Sequence, residues 1–242
     1  MTTLRADGRT PSALRPITIE LGVQHQAAGS ALIRWGNTHV LCAASVENRV
    51  PPHRQESGGG WLTAEYAMLP GCSAYRARRE RGKVKGRTAE IQRLIGRSLR
   101  ATVNLDVLGP RTIHLDCDVI NADGGTRCAS ITGAYVAACI AMHGLARADE
   151  KPFVAPRQVA AVSIGLLEGQ VLTDLMYTED YAADVDLNFV ASSEGIVEVQ
   201  GTAEGAVFDR AALNAMLDAA EAGCAELFAL QRAALAQLEI TV

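Results

Sequence analysis

Residues 112–145 limit the fold more than any other part of the chain. Thr112 to Ile120 alternates like a strand, Gly124-Gly125 makes a sharp turn, and a long apolar helix is expected from Ala129 to Leu145. Ile131, Ala134, Val136, Ala138, Ile140 and Ala141 leave that helix apolar on most of its sides, which suggests burial between layers. The turn also has chemistry. Adjacent glycines accept positive φ, so their N–H groups can converge toward the free N–H groups that open the helix. With the Thr126 hydroxyl and the Arg127 guanidinium, the turn suits an anion. The same residues equally suit a plain turn with a solvated arginine.

Length and charge narrow the classes. A chain of 242 residues is long enough for one large domain or two small ones. Its net charge of −4 argues against a uniformly basic nucleic-acid binder, so any such role needs a local patch. No apolar run near membrane-span length and no signal-peptide core are expected, which makes a cytoplasmic protein the default. The cysteines at 42, 72, 117, 128, 139 and 224 sit mostly in apolar segments and never form CxxC, the pattern of reduced core residues. P-loop, HExxH and GxSxG patterns are missing.

Taken in order, residues 1–16 are polar and rich in Arg and Pro and are expected to form an arm lying on a surface. Strands are expected at Ile17 to Leu21, Ser30 to Trp35, Thr38 to Val46 and Trp61 to Met68, with a loop from Asn48 to Gly60. The charge then changes sign. Ser73 to Arg100 holds ten Lys or Arg against two Glu, first as an aperiodic loop and then as a helix with Ile91, Leu94, Ile95 and Leu99 on its apolar stripe. Clustered positive charge in an acidic chain favours a polyanion partner over a merely solvated surface.

Asp149 to Arg157 reads as a linker, giving approximate halves 1–150 and 151–242. The second half restarts with strands at Gln158 to Leu166 and Val171 to Met176. In the acidic stretch beyond, Asp184, Asp186 and Asn188 share one face by period two while Val185, Leu187 and Phe189 share the other. Close carboxylates need a cation or an arginine to offset them; Mg2+ or Mn2+ is one solution and a solvated acidic edge the other. Ile196 to Gly201 is expected as a strand, and Asp209 is expected to cap a last amphipathic helix. The order is strands then helix, twice, in an α/β (α+β) arrangement.

Six stretches in this order resemble the bacterial ribonuclease PH family over nearly the whole chain. They are Arg5-Ala-Asp-Gly-Arg9, Trp61 to Pro70, Gly86 to Arg100, Leu115 to Gly133, Glu179-Asp180 through Asn188, and Glu198 to Gly205. The resemblance implies one domain spanning 1–242 with two similar βαβ-type halves, assembled as a homohexamer, a trimer of dimers. It implies a phosphorolytic 3′-to-5′ exoribonuclease, a tRNA nucleotidyltransferase, that trims tRNA precursors and other structured RNA 3′ ends with inorganic phosphate as co-substrate. Phosphate would be held by Arg87, Gly125, Thr126 and Arg127. Asp180 and Asp186 would be the catalytic, metal-associated carboxylates. Arg76, Arg78, Arg79 and Arg81 would grip the tRNA acceptor stem. Cys128, Cys72 and Val84-Lys85 depart from the family pattern, outside the phosphate and carboxylate positions. The alternative is a catalytically inactive RNA-binding ring subunit of exosome-core type, which the intact phosphate and carboxylate positions oppose.

Overall fold

The computed structural model describes residues 5–80, 82, 84–204 and 207–242. Five strands, β1 (Ile17–Leu21), β2 (Gly29–Trp35), β3 (Thr38–Glu47), β4 (Trp61–Met68) and β5 (Thr112–Asn121), form a first sheet in the order β1-β2-β3-β5-β4. Its pairs are antiparallel except β4 with β5, which run parallel because α1 (Gly86–Arg100) carries the chain back between them. A second, fully antiparallel sheet has the order β7-β6-β8-β9. It comprises β6 (Val159–Leu167), β7 (Gln170–Thr173), β8 (Val185–Ser192) and β9 (Gly195–Ala203). The βαβ crossover therefore belongs to the first half, and the second repeats the strand-then-helix order with antiparallel pairs.

The helix α2 (Thr126–Ala148) lies between the sheets, packed on β2 and β3 on one side and β6 on the other. Ile131, Tyr135 and Val136 on it are fully buried. At 23 residues α2 is long and apolar enough to cross a membrane, contrary to expectation, but most of it is buried inside the protein. Two-sided burial between sheets demands the same composition as lipid does. The approach is close: a Cβ on Gly29 in β2 would run into the Ala137 carbonyl of α2. A last helix, α4 (Arg210–Ala236), covers β6 and β7, and Asp209 caps it by accepting from Ala212 N at 2.8 Å. One apolar core runs through both sheets and these helices. All six cysteines are buried and unbridged, as expected.

Three segments differ from what the pattern predicts. The strand expected at Val171 to Met176 stops at Thr173, because Asp174 takes positive φ (60°) and turns the chain into a short helix, α3 (Tyr177–Ala182). Asp184 is not in β8; it is exposed, and its carboxylate accepts from Glu168 N at the β6–β7 turn. The N-terminal arm is only partly superficial. Arg5 and Arg15 are buried, with exposures of 8% and 6%, because carboxylates inside the second half draw them in.

Candidate active site

Where β5 ends, Gly124 and Gly125 take φ of 74° and 66°, and Gly125 caps α2 in the left-handed conformation. A side chain at Gly124 would place its Cβ 2.5 Å from the Leu175 carbonyl oxygen, so the turn is closed on its far side. Its near side opens on a cleft of about 660 Å³. The first N–H groups of α2 have no partner inside the helix and meet the positive end of its dipole there. The cleft is lined by Arg87, Gly125, Thr126, Arg127, Asp180 and Asp186, so all six residues expected at the phosphate and carboxylate positions come together.

They arrive on four elements: α1 brings Arg87, the start of α2 brings Gly125, Thr126 and Arg127, α3 brings Asp180 and β8 brings Asp186. Arg87 is exposed near the start of α1, and Arg127 is half-buried in the first turn of α2. Arg127 Nη2 donates to Glu90 Oε2 at 3.0 Å, while its buried Nε has no partner among the described residues. Thr126 Oγ1 accepts from the buried Tyr66 hydroxyl at 2.9 Å. An unpartnered guanidinium N–H, a hydroxyl and helix-start amides form a donor set for a tetrahedral anion.

Asp180 projects from α3 and Asp186 from β8. Burial raises the Asp180 pKa, while the charges of Arg87 and Arg127 draw it down. Asp186 is pushed up to about 6, first by burial and then by the charge of Asp180, with Arg127 and the Asn188 hydrogen bond opposing. Asn188 Nδ2 donates to Asp186 Oδ2 at 3.3 Å, and Cys128 Sγ donates to Asn188 Oδ1 at 3.5 Å. Asp186 Oδ1 is buried and has no partner among the described residues. A free carboxylate oxygen beside a second carboxylate fits a hard divalent cation. Among the described residues no third His, Cys, Asp or Glu completes a ligand cluster, so water or substrate oxygens would fill the remaining positions of such an ion.

The N-terminal arm braces both groups. Arg5 Nε donates to Glu179 Oε1 at 2.7 Å, which fastens α3 and with it Asp180. Arg15 binds the Asp174 carboxylate and donates to the carbonyl oxygens of Asp123 and Gly124 at the glycine turn.

The basic tract divides in two. Arg76, Arg78 and Arg79 are exposed on the loop after β4, and Arg81 lies outside the described residues. Arg78 and Arg79 line a groove of about 470 Å³ beside edge strand β4, and Arg87 lines both this groove and the main cleft. Arg76 lines neither. On α1, Arg97 is paired with Glu198 and Arg100 lies 4.6 Å from the Trp61 ring, whereas Arg87 and Arg93 are exposed.

Sequence reading did not single out Tyr66, Glu90, Asn188, Arg15 or Asp174 for these contacts. Tyr66 and Glu90 lie within stretches that carried the resemblance, but their partners are 60 and 37 residues away, beyond any periodicity. The local signal was period two, which puts Asn188 on the same face as Asp186.

Two sheets enclosing a helix, with an anion cradle and paired carboxylates in one cleft, define an α/β enzyme of phosphate chemistry. Residues 13–142 match the 3′ exoribonuclease family, domain 1, and residues 157–223 match its domain 2. The chain belongs to the 3′ exoribonuclease family. It is 56% identical over 236 residues to the ribonuclease PH of Corynebacterium diphtheriae, covering 96% of this chain and 98% of that protein. It is 57% identical over 237 residues to the ribonuclease PH of Corynebacterium glutamicum, covering 96% of each. The fold also matches the Archaeoglobus fulgidus exosome with RNA bound to the active site, at a TM-score of 0.77 and 22% identity, covering 93% of this chain and 91% of that one.

Proposed function

We infer that this protein is a phosphorolytic 3′-to-5′ exoribonuclease, a tRNA nucleotidyltransferase that trims the 3′ ends of tRNA precursors with inorganic phosphate. The observation that carries the reading is one cleft holding both an anion cradle and a carboxylate pair, in a chain 56% identical to a ribonuclease PH. A phosphate oxygen attacks the phosphorus of the last phosphodiester. The bond from that phosphorus to the penultimate 3′ oxygen breaks, giving a nucleoside diphosphate and an RNA one nucleotide shorter with a free 3′ hydroxyl. A phosphate ester is made as one is broken, so the reaction is reversible.

Two anions must meet, and neutralising and aligning them is the main physical task. Arg87, Arg127, Thr126 and the amides at Gly125 hold the attacking phosphate. Asp180 and Asp186 hold a divalent cation, Mg2+ or Mn2+, whose contribution when bound is to stabilise charge on the transferring phosphoryl oxygens or the departing 3′ oxygen. Tyr75 and Tyr177, largely exposed on the cleft wall, offer ring faces to the terminal nucleotides. Arg76, Arg78, Arg79 and Arg81 grip the tRNA acceptor stem. The whole chain works as one domain with halves 1–150 and 151–242, as a homohexamer in the cytoplasm.

The test is incubation with a tRNA carrying a 3′ extension, with and without phosphate. Nucleoside diphosphates released only with phosphate are expected. Release of monophosphates without phosphate, or no release at all, overturns the reading. Sedimentation of the same preparation checks the hexamer.

A further inference from the structure

We propose that Tyr66 is a positioning residue of the anion cradle: its phenol donates to Thr126 Oγ1 and so turns the Thr126 proton toward the bound phosphate. This rests on the reading above that Thr126 is a phosphate ligand.

Tyr66 lies near the end of β4, where the strand alternates strictly. Leu62, Ala64 and Tyr66 point into the core, while Thr63, Glu65 and Ala67 face outward. Met68, two residues on, already lines the cleft. Tyr66 is therefore the last buried side chain of the strand before the site, with an exposure of 3%. A phenol at that depth needs a partner for its O–H, and the hydrogen bond it makes is the one to Thr126 at 2.9 Å.

The direction of this bond matters. A phenol is more acidic than an aliphatic hydroxyl, so it is the better donor and the poorer acceptor of the two. The reverse arrangement would also leave the phenol proton with no acceptor among the described residues. With Tyr66 as donor, one lone pair of Thr126 Oγ1 is occupied, and its single proton is free for another acceptor. No hydrogen bond from that proton is made among the described residues, and Thr126 lines the cleft. An unrestrained threonine hydroxyl could present a lone pair to an incoming anion and repel it. Fixed by Tyr66, it presents the proton before the anion arrives, which is electrostatic preorganisation.

The phenol keeps its proton for this task. Burial pushes the Tyr66 pKa up, against the Thr126 hydrogen bond and the charges of Arg87 and Arg127, which draw it down. The influence of both arginines also puts the phenol behind the cradle they flank.

A four-protein cycle tests the inference: the unaltered protein, Tyr66→Phe, Thr126→Val and the double variant. Phosphate KM, RNA KM and kcat are measured in phosphorolysis. Tyr66→Phe keeps the buried ring and removes one hydrogen bond, so phosphate KM should rise about threefold to tenfold with RNA KM unchanged. Thr126→Val should raise phosphate KM at least as much, and adding Tyr66→Phe to it should change nothing further. A merely structural tyrosine would act equally in both backgrounds, and that result overturns the proposal, as does an unchanged phosphate KM in Tyr66→Phe. If Thr126→Val leaves phosphate KM unaltered, the assignment of Thr126 as a ligand fails and this inference falls with it.

Should Tyr66→Phe not fold, 3-fluorotyrosine inserted at position 66 alone keeps the shape and strengthens the donor. It should lower phosphate KM with Thr126 present and have no effect in Thr126→Val. The same change in both backgrounds, or no change in either, overturns the proposal.

Discussion

Asp174 Oδ1 accepts from Arg15 Nη2 at 2.6 Å, and Nη1 of the same guanidinium donates to the Asp123 carbonyl, one residue ahead of the glycine turn. A buried ion pair thus ties the arm before β1 to the backbone that forms the anion cradle. The Asp174 carboxylate also accepts from Arg15 N at 2.7 Å and from Trp35 Nε1 at 2.8 Å. Its cost of burial is met by many donors, of which Arg15 supplies the charge at closest range.

Arg15→Ala should therefore destabilise the protein by about 3–5 kcal/mol, the usual cost of leaving one partner of a buried pair uncompensated. Arg9 Nη1, 3.3 Å from Asp174 Oδ2, should hold the loss near the lower end. Denaturant unfolding measures it. Phosphate KM should rise in parallel, because the turn loses its brace. A loss under about 1 kcal/mol would mean that the pair contributes no more than a surface bridge.

Arg87→Ala and Arg127→Ala should each raise phosphate KM while leaving tRNA affinity nearly intact. The expected loss is about 2–4 kcal/mol of transition-state stabilisation, the range for removing one preorganised donor to an oxyanion. Arg127→Ala should be the more severe. Its guanidinium is half-buried and held by Glu90, with a buried Nε that has no partner among the described residues, whereas Arg87 is exposed. Phosphate titrations beside a filter-binding measurement with tRNA separate the two effects. Equal loss of both would count against these arginines as phosphate ligands.

These predictions divide along what the sequence could and could not disclose. Period two and period 3.6 located the strands and long helices because burial writes them into consecutive residues, as in Leu62, Ala64 and Tyr66 of β4. The turn at Gly124-Gly125 was legible because only glycine accepts both φ values cheaply. By contrast, α3 has six residues, too few for a helical period, and its place is fixed by Arg5 gripping Glu179 across 174 residues. The arm looked superficial for the same reason. Nothing local to Arg15 announces a partner at Asp174. Asp184 misled because alternation continued one residue beyond the true start of β8. Long-range polar contacts leave no periodic trace, and they are what holds this site together.

Asp186 carries a cost that a substitution should reveal. Its pKa is pushed up to about 6 from an ordinary 3.8, so the folded protein holds that proton more tightly than the unfolded chain does. The resulting stability is fully present below about pH 4 and is lost as pH rises through about 6. Above that, ionised Asp186 is a burden in the absence of a cation. Asp186→Asn should consequently raise the melting temperature at pH 7.5 in EDTA, by the equivalent of about 1–3 kcal/mol. The difference should vanish near pH 4. Turnover should fall about a hundredfold or more, as it should for Asp180→Asn. Melting curves from pH 4 to pH 8 check the first part and phosphorolysis the second. A variant that keeps near-normal turnover would remove its carboxylate from the mechanism.

The loop arginines should act on affinity and not on chemistry. Arg76, Arg78 and Arg79 are exposed, and none of them lines the cleft that holds the carboxylates. Contacts to an RNA backbone release counterions, so log K falls linearly with log salt, and each lost phosphate contact reduces that slope by roughly one unit. Neutralising all three should flatten the slope for tRNA binding by about two to three units and raise RNA KM several-fold at 0.15 M salt, with phosphate KM and saturated kcat little changed. Arg78 and Arg79 should account for more of this than Arg76, because they line the groove beside β4 that meets the cleft at Arg87. Binding measured from 50 to 300 mM salt for each single variant tests that ranking. An unaltered slope in the triple variant would move the RNA grip to another face, with exposed Arg93 of α1 the next group to neutralise.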